Sequence, residues 1–314
     1  MFRWFNRKID RSLQLGVCAA PGGLAAAIVR QRPGATAQVQ WAAHIEGADQ
    51  AHALHSLARE RHVRSINCVS TLAHGDYSLV MVDAPDVPPS EMRAAVRWRL
   101  NELLDFHVDD AVVDIFDVPN PGGARSGRIY AVAARNTAVK STVDDCTAGG
   151  LTLDVIDIPE FALRNVAELL PEDAHGVAFI ALEEQRGLMT ISRQGGLYLS
   201  RRLDYGTARL FGDPGGSVSD EQEGALDTLV IEIQRSLDYY ERHFAQPPIQ
   251  GIVFGPCVLP LARVCAYLHS QLGVPVRALD LNQLLPSENI LDAALQATCL
   301  TAIGSALRRE EVAL

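Results

Sequence analysis

The chain has 314 residues, 48% apolar and 21% charged, which suits one large bilobal fold or two domains of ~100–200 residues. A chain of this size buries a full core without disulfide or metal staples. Its 28 basic and 38 acidic residues give a net charge of −10. That balance argues against broad nucleic-acid binding, and against docking of the whole surface on anionic lipid.

Met1 to Lys8 sets Phe2, Trp4 and Phe5 among Arg3, Arg7 and Lys8. This reads as a short leader packed on the first strand, with a membrane-surface toe as the sharper alternative. No long apolar core and small-residue cleavage site follow these charges, so no signal peptide is expected. The longest apolar region, Ile252 to Leu268, is interrupted by Gly255, Pro256, Pro260 and Arg263, so no membrane span is expected. Cys18, Cys68, Cys146, Cys257, Cys265 and Cys299 form no CxxC pair and read as buried, reduced thiols of a cytosolic protein.

Leu13 to Cys18 reads as a strand, Ala19 to Gly23 as a turn, and Leu24 to Arg30 as the returning strand of a hairpin. Gln38 to His44 makes a third strand. Asp49 to His62 places Leu54, Leu57 and Ala58 on one side of a helix. Ile66 to Ser70 and Tyr77 to Asp83 are short buried strands. After the breaker Pro85 to Pro89, Ser90 is expected to cap a helix in which Met92, Ala95, Val96, Leu100, Leu103 and Leu104 keep helical spacing. Val112 to Val118 and Arg128 to Ala134 form a hairpin across the loop Asn120 to Gly127. Thr137 to Ala148 is a helix, Leu153 to Ile158 a strand, and Pro159 to Leu170 a helix that starts with proline.

The pattern then restarts. Val177 to Leu182, Leu188 to Arg193 and Leu197 to Leu203 form a second three-strand meander. A polar loop, Gly212 to Gly224, leads to the strongest helix, Ala225 to Phe244. Its stripe is Leu226, Leu229, Val230, Ile233, Leu237, Tyr240 and Phe244. Ile249 to Phe254 and Val276 to Leu279 are strands; Val258 to Leu272 and Ile290 to Leu307 are helices. Two copies of a meander followed by helix–strand units predict an α/β, ribonuclease-H-like, actin-type bilobal fold. The first lobe spans 1–158 with an insert at about 84–136, and the second spans 159–314.

Several runs resemble the PilM/MshI family of type IV pilus biogenesis proteins, relatives of the cell-division protein FtsA. Val155-Ile-Asp-Ile-Pro-Glu-Phe-Ala-Leu163 resembles the family's inter-lobe strand, with Asp157 near its end. Ile231 to Tyr240 resembles the long helix behind the adenosine site. Ile252-Val-Phe-Gly-Pro256 stands where the family has a strand ending in a glycine pair, and Thr301 to Arg308 resembles the closing helix. In the insert, Glu91 to Leu104 followed by Val113-Asp-Ile-Phe-Asp117 resembles the family's helix–strand unit.

The resemblance implies an actin-like nucleotide cleft, with Gly16, Cys18, Gly187, Glu232, Arg235 and Gly255 as its residual lining. Three departures stand out. Cys18 replaces the acid of the first phosphate turn, and a thiol is a poor substitute for a hard oxygen ligand of Mg²⁺. Ala181-Leu-Glu-Glu-Gln-Arg-Gly187 lacks the second turn's spacing, although Glu183 or Glu184 could stand in. Pro256 removes an N–H donor at the adenosine glycines. No cofactor and no catalytic residue are therefore expected, with ATP and Mg²⁺ as the alternative.

His44, His52, His55, His62 and His74 crowd the first lobe without ligand spacing for a metal. Asp109-Asp110 and Asp144-Asp145 are sequence neighbours that point apart. Of Tyr239 and Tyr240, one is core by the helical stripe.

The leading expectation is a scaffold of the MSHA-type pilus platform, cytoplasmic and peripheral to the inner membrane. The resemblance implies a PilN-like bitopic partner, whose N-terminal tail would lie in a groove between first lobe and insert. Met92, Val96, Leu100, Leu103, Val113 and Ile115 are the candidate contacts. Further pilus platform proteins, and self-association into a homo-oligomer, are implied as well. The rival reading is an ATP-binding actin-like ATPase that switches or polymerises.

Overall fold

In a computed structural model, residues 12–47, 49–61, 63–119, 127–211 and 220–309 are described, with no side-chain description for 220–223. The leader from Met1 to Lys8, His62 and the polar loop between 212 and 219 lie outside them.

The first lobe opens with strands β1 (Leu13–Ala20), β2 (Gly23–Arg30) and β3 (Gln38–Glu46). Pro21 and Gly22 turn the first hairpin; Gly22 takes φ +72°, a conformation that glycine adopts without a Cβ penalty. Helix α1 (Gln50–Glu60) is capped by Asp49, whose carboxylate accepts the His52 N–H at 3.0 Å. Strand β4 (Asn67–Thr71) follows and runs parallel to β1.

Next comes a small subdomain of β5 (Tyr77–Asp83), α2 (Pro89–Leu100), β6 (Ala111–Asp117) and β7 (Arg128–Arg135). Its strands form a separate antiparallel sheet in the order β5-β7-β6. This sheet takes in Tyr77 to Asp83, a strand that the sequence pattern alone left outside the insert. Pro88, not Ser90, is the N-cap of α2, and no side chain caps it. Proline at the first helical position tolerates this, since its missing N–H would be unpaired there anyway. The helix stops at Leu100, so Leu103 is not on its stripe and is 54% exposed.

Helix α3 (Asn136–Gly149) and strand β8 (Thr152–Asp157) complete the first sheet, in the order β3-β2-β1-β4-β8. Gly150, at φ +72°, closes α3 in a left-handed cap.

Helix α4 (Pro159–Ala167) crosses to the second lobe, which begins with β9 (Val177–Leu182), β10 (Gly187–Arg193) and β11 (Gly196–Leu203). Then come α5 (Thr207–Phe211), α6 (Asp220–Phe244), β12 (Gly251–Phe254), α7 (Ala262–Leu272), β13 (Val276–Ala278), α8 (Leu281–Leu284) and α9 (Ala293–Ala306). The second sheet runs β11-β10-β9-β12-β13, the same winding as the first. The duplication legible in the sequence is therefore a duplication of topology.

Helices α4 and α9 pack against each other between the two sheets. Their shared core joins Cys18, Ala25 and Val29 of the first sheet to Phe179, Leu188 and Val253 of the second, through Leu163, Val166, Cys299 and Ile303. The seam is unusually close. A Cβ on Gly16 would lie 2.0 Å from the Ala302 carbonyl oxygen, and one on Gly304 would lie 2.2 Å from that of Ala162. Only glycine fits at either point.

The subdomain also leans on the second lobe. One face of its sheet is covered by Met92, Val96 and Leu100 of α2, packed on Val113, Ile129 and Ala131. On the other face Phe116 stacks on Tyr130 with ring centroids 5.1 Å apart, and the Tyr130 hydroxyl donates to the Tyr198 carbonyl at 3.1 Å. Tyr239 completes this contact, its hydroxyl 3.4 Å from Arg128 Nη1, while Tyr240 is fully buried in the second lobe's core.

Candidate functional site

Residues expected to line a nucleotide cleft are distributed through the seam and the sheets. Gly16 is in the middle of β1, paired with Ala27 on one side and Val69 on the other. It belongs to the strand and not to the turn, which is formed by Pro21 and Gly22. Proline there offers no N–H to an anion.

Cys18 is 7% exposed and packs near Cys299 and the Ala302 backbone of α9. Burial pushes its thiol up to about 12, with Cys299 adding to the rise, so it stays neutral. A protonated thiol facing an apolar helix is no ligand for magnesium.

The β9–β10 turn is equally committed. The Thr207 and Ala208 N–H groups donate to the Glu183 and Glu184 carbonyls at 2.8 and 2.9 Å. Gly206 permits this, because its Cβ position lies 2.1 Å from the Glu183 oxygen. The Glu183 carboxylate pairs with Arg186 at 2.7 Å and approaches His74 at 3.8 Å across the cleft. Burial lowers the His74 imidazole below its usual range; Glu183 opposes that shift, and Arg202 and Arg186 reinforce it. Gly187 opens β10 under the Leu182 side chain.

Asp157, the acid that the resemblance set at the inter-lobe strand's end, is 4% exposed. It accepts the Ile158 N–H at 2.8 Å and is paired with Arg308 at 2.6 Å. Gly255 donates its N–H to the Ile180 carbonyl at 2.8 Å, and a Cβ there would sit 2.9 Å from Leu300 Cδ2. Glu232 is bound to Arg201 at 2.9 Å and lies 3.8 Å from Arg235, whose side chain is 69% exposed.

Sequence reasoning missed a polar cluster between the lobes. Glu160, in the first turn of α4, is 1% exposed. Its carboxyl accepts the Tyr77 hydroxyl at 2.6 Å and the Ser200 hydroxyl at 3.3 Å, and the Arg202 guanidinium lies 5.2 Å from the Tyr77 ring centre. Burial raises this carboxyl above its ordinary 4.5, in spite of those bonds. The only sequence signal was an acid directly after Pro159. A raised carboxyl favours the protonated fold, so its stabilisation falls as pH rises above 4.5 toward the raised value. Glu160→Gln is expected to flatten that part of the stability–pH profile and to match or exceed wild type at neutral pH. Urea titrations of both proteins across pH 4–8 check this; a profile unchanged by the substitution contradicts it.

Two of the open depressions among the described residues have charged linings away from the seam. One lies on the first lobe, between α1, α3 and the turn that leads into β5: a cavity of about 440 Å³ lined by Asp49, Gln50, Asp76, Ser141, Thr142 and Asp145. It continues inward through a narrow space of about 70 Å³ toward Ser70, Thr71 and Cys146. Asp49 caps α1 and Asp145 accepts from Ser141 at 3.5 Å. Among the described residues, none of Asp49, Asp76 and Asp145 has an ion-pair partner. The other depression, about 550 Å³, lies between α2 and β6 and is lined by Arg93, Ala94, Arg97, Val113 and Ile115. Of the expected partner contacts, Val113 and Ile115 line it. Met92, Val96 and Leu100 are turned into the subdomain core and are not available at a surface. Asp109 faces Arg97 while Asp144 faces Lys140, so the adjacent carboxylates do not form shared sites. Among the described residues no group of three or more metal-ligating side chains is present.

Two similarly wound sheets with two helices between them define an actin-like fold, here with a three-stranded insert in the first lobe. The chain belongs to the type IV pilus assembly protein PilM family, whose model matches residues 51–212. Its fold is similar to a structure of the PilM-PilN type IV pilus biogenesis complex, at a TM-score of 0.73 and 19% identity over 94% of this chain and 97% of that one. It is also similar to the cytoplasmic domain of EpsL, an inner-membrane component of the type II secretion system of Vibrio cholerae (TM-score 0.51, 13% identity, 92% and 94% covered). A Bacteroides thetaiotaomicron protein with an actin-like ATPase fold gives a TM-score of 0.50 at 8% identity, covering 91% and 95%. No curated protein matches the sequence. Among the described residues, no helix is long and apolar enough to cross a membrane.

Proposed function

We propose that this chain is a cytoplasmic scaffold of a type IV pilus assembly platform, which captures the N-terminal tail of a PilN-like bitopic inner-membrane protein and needs no nucleotide to do so. Family membership and the fold shared with a PilM-PilN complex support the partner class. The observation that carries the docking site is the acidic cavity on the first lobe, between α1, α3 and the turn into the insert, with Asp49, Asp76 and Asp145 free of cationic partners among the described residues. Cytoplasmic segments beside a membrane span carry an excess of lysine and arginine. An acidic cleft on a protein of net charge −10 complements such a tail and raises its association rate.

The pseudo-ATPase part of the reading is supported by the spent groups of the cleft. Cys18 is neutral and buried, Asp157 is taken by Arg308, and the Gly255 N–H is taken by Ile180. The same degenerate turns favour the MSHA-type branch of the family. Calorimetric titration with the N-terminal segment of the PilN-like protein tests the reading. Binding that weakens steeply with salt supports the acidic cavity, and tight binding indifferent to salt contradicts it.

A further inference from the structure

Strand β6 is the free edge of the insert's sheet, since β7 pairs with it on one side and the order β5-β7-β6 ends there. In antiparallel pairing, alternate residues turn both backbone groups away from the partner strand. Two contacts fix which ones do so here. Arg97 donates to the Ala111 carbonyl at 3.0 Å, and the Ile115 N–H donates to the Asp114 carboxylate at 3.0 Å. The backbone N–H and C=O groups of Ala111, Val113 and Ile115 therefore point away from β7, along the free edge beside α2, while the Val113 side chain packs beneath that helix.

The two ends of this edge are covered by side chains and its middle, Val113, is not. Both covers involve arginine–carboxylate pairs. Arg93 holds Asp114 at 2.9 Å, with the two side chains 67% and 72% exposed, and Arg97 lies 3.5 Å from Asp109. Exposed pairs of this kind are cheap to exchange. Helix α2 is basic within an acidic protein, carrying Arg93, Arg97 and Arg99 against Glu91. One turn beyond Ala94 it presents Trp98, 83% exposed, and interface hot spots are rich in tryptophan and arginine.

We propose that the α2–β6 groove is a second docking surface, which adds an extended acidic segment of a partner protein as a fourth strand along β6. The segment's backbone takes the outward groups of Val113 and Ile115, and its alternate carboxylates replace Asp114 and Asp109 on Arg93 and Arg97. This surface is separate from the acidic cavity and opposite to it in charge preference.

The test uses the full chain and a capped heptapeptide of alternating valine and glutamate, titrated by calorimetry. The peptide is expected to bind, with affinity falling roughly tenfold or more for Arg93→Glu or for a peptide N-methylated on one edge. Asp114→Ala is expected to bind more tightly, since it removes the internal competitor while leaving the groove intact. No binding at millimolar peptide, equal binding of a valine–lysine peptide, or indifference to N-methylation each overturns the proposal. Both arginine and aspartate positions are exposed, and circular dichroism confirms that each variant is folded.

Discussion

Gly16→Ala is expected to destabilise the chain by about 3 kcal/mol, at the upper end for an overpacked core. The added methyl would sit 2.0 Å from the Ala302 carbonyl oxygen and 2.7 Å from the Ala306 nitrogen, both backbone atoms of α9. Neither can yield by rotating a side chain, so α9 must lift from the first sheet. Because α9 and α4 are the layer between both sheets, the loss spreads to both lobes. Gly22→Ala is the matched control: nothing lies within 4 Å of its Cβ position, but its φ of +72° strains any side chain. It is expected to cost about 1 kcal/mol. Urea midpoints of the two variants check the comparison. A Gly16→Ala loss no larger than that of Gly22→Ala would mean the seam is looser than its geometry.

Reversing the acidic cavity is expected to have the largest effect on binding. The triple variant Asp49→Lys, Asp76→Lys and Asp145→Lys should lower affinity for a basic tail peptide on the order of a hundredfold, mostly through slower association. Asp49 also caps α1, so part of any stability change belongs to the cap, worth about 1 kcal/mol. The double variant at Asp76 and Asp145 avoids that cost. Stopped-flow association rates at low and high salt separate the outcomes: a salt-steep rate in wild type that flattens in the double variant supports the cavity, and equal slopes exclude it.

Much of this architecture was legible because hydrophobic periodicity reports local geometry. The two meanders, the stripe from Leu226 to Phe244 and the turn at Pro21-Gly22 all follow from residues near in sequence. Long-range closeness did not show. Gly16 reads as part of a phosphate turn until the chain's last helix is seen lying against it, 286 residues downstream at Ala302. Met92, Val96 and Leu100 were legible as an apolar stripe, but a stripe does not say whether it faces a partner or its own sheet. The same limit hid Glu160, whose partners Tyr77 and Ser200 come from the insert and from the second lobe. The departure from the family's first phosphate turn was visible as Cys18, whereas the pairing of Asp157 with Arg308 required the fold.

The central claim is a scaffold that holds its membrane partner without nucleotide. Its most direct test is calorimetric titration of the purified chain with the N-terminal segment of the PilN-like protein, first alone and then with saturating ATP and Mg²⁺. Unchanged affinity, together with no heat from ATP and Mg²⁺ alone, is the predicted result. Tail binding that appears or tightens only with the nucleotide, or an ATP-dependent rise in Tm, would contradict it, since a ligand at a hundred times its Kd adds about 2.7 kcal/mol of stability.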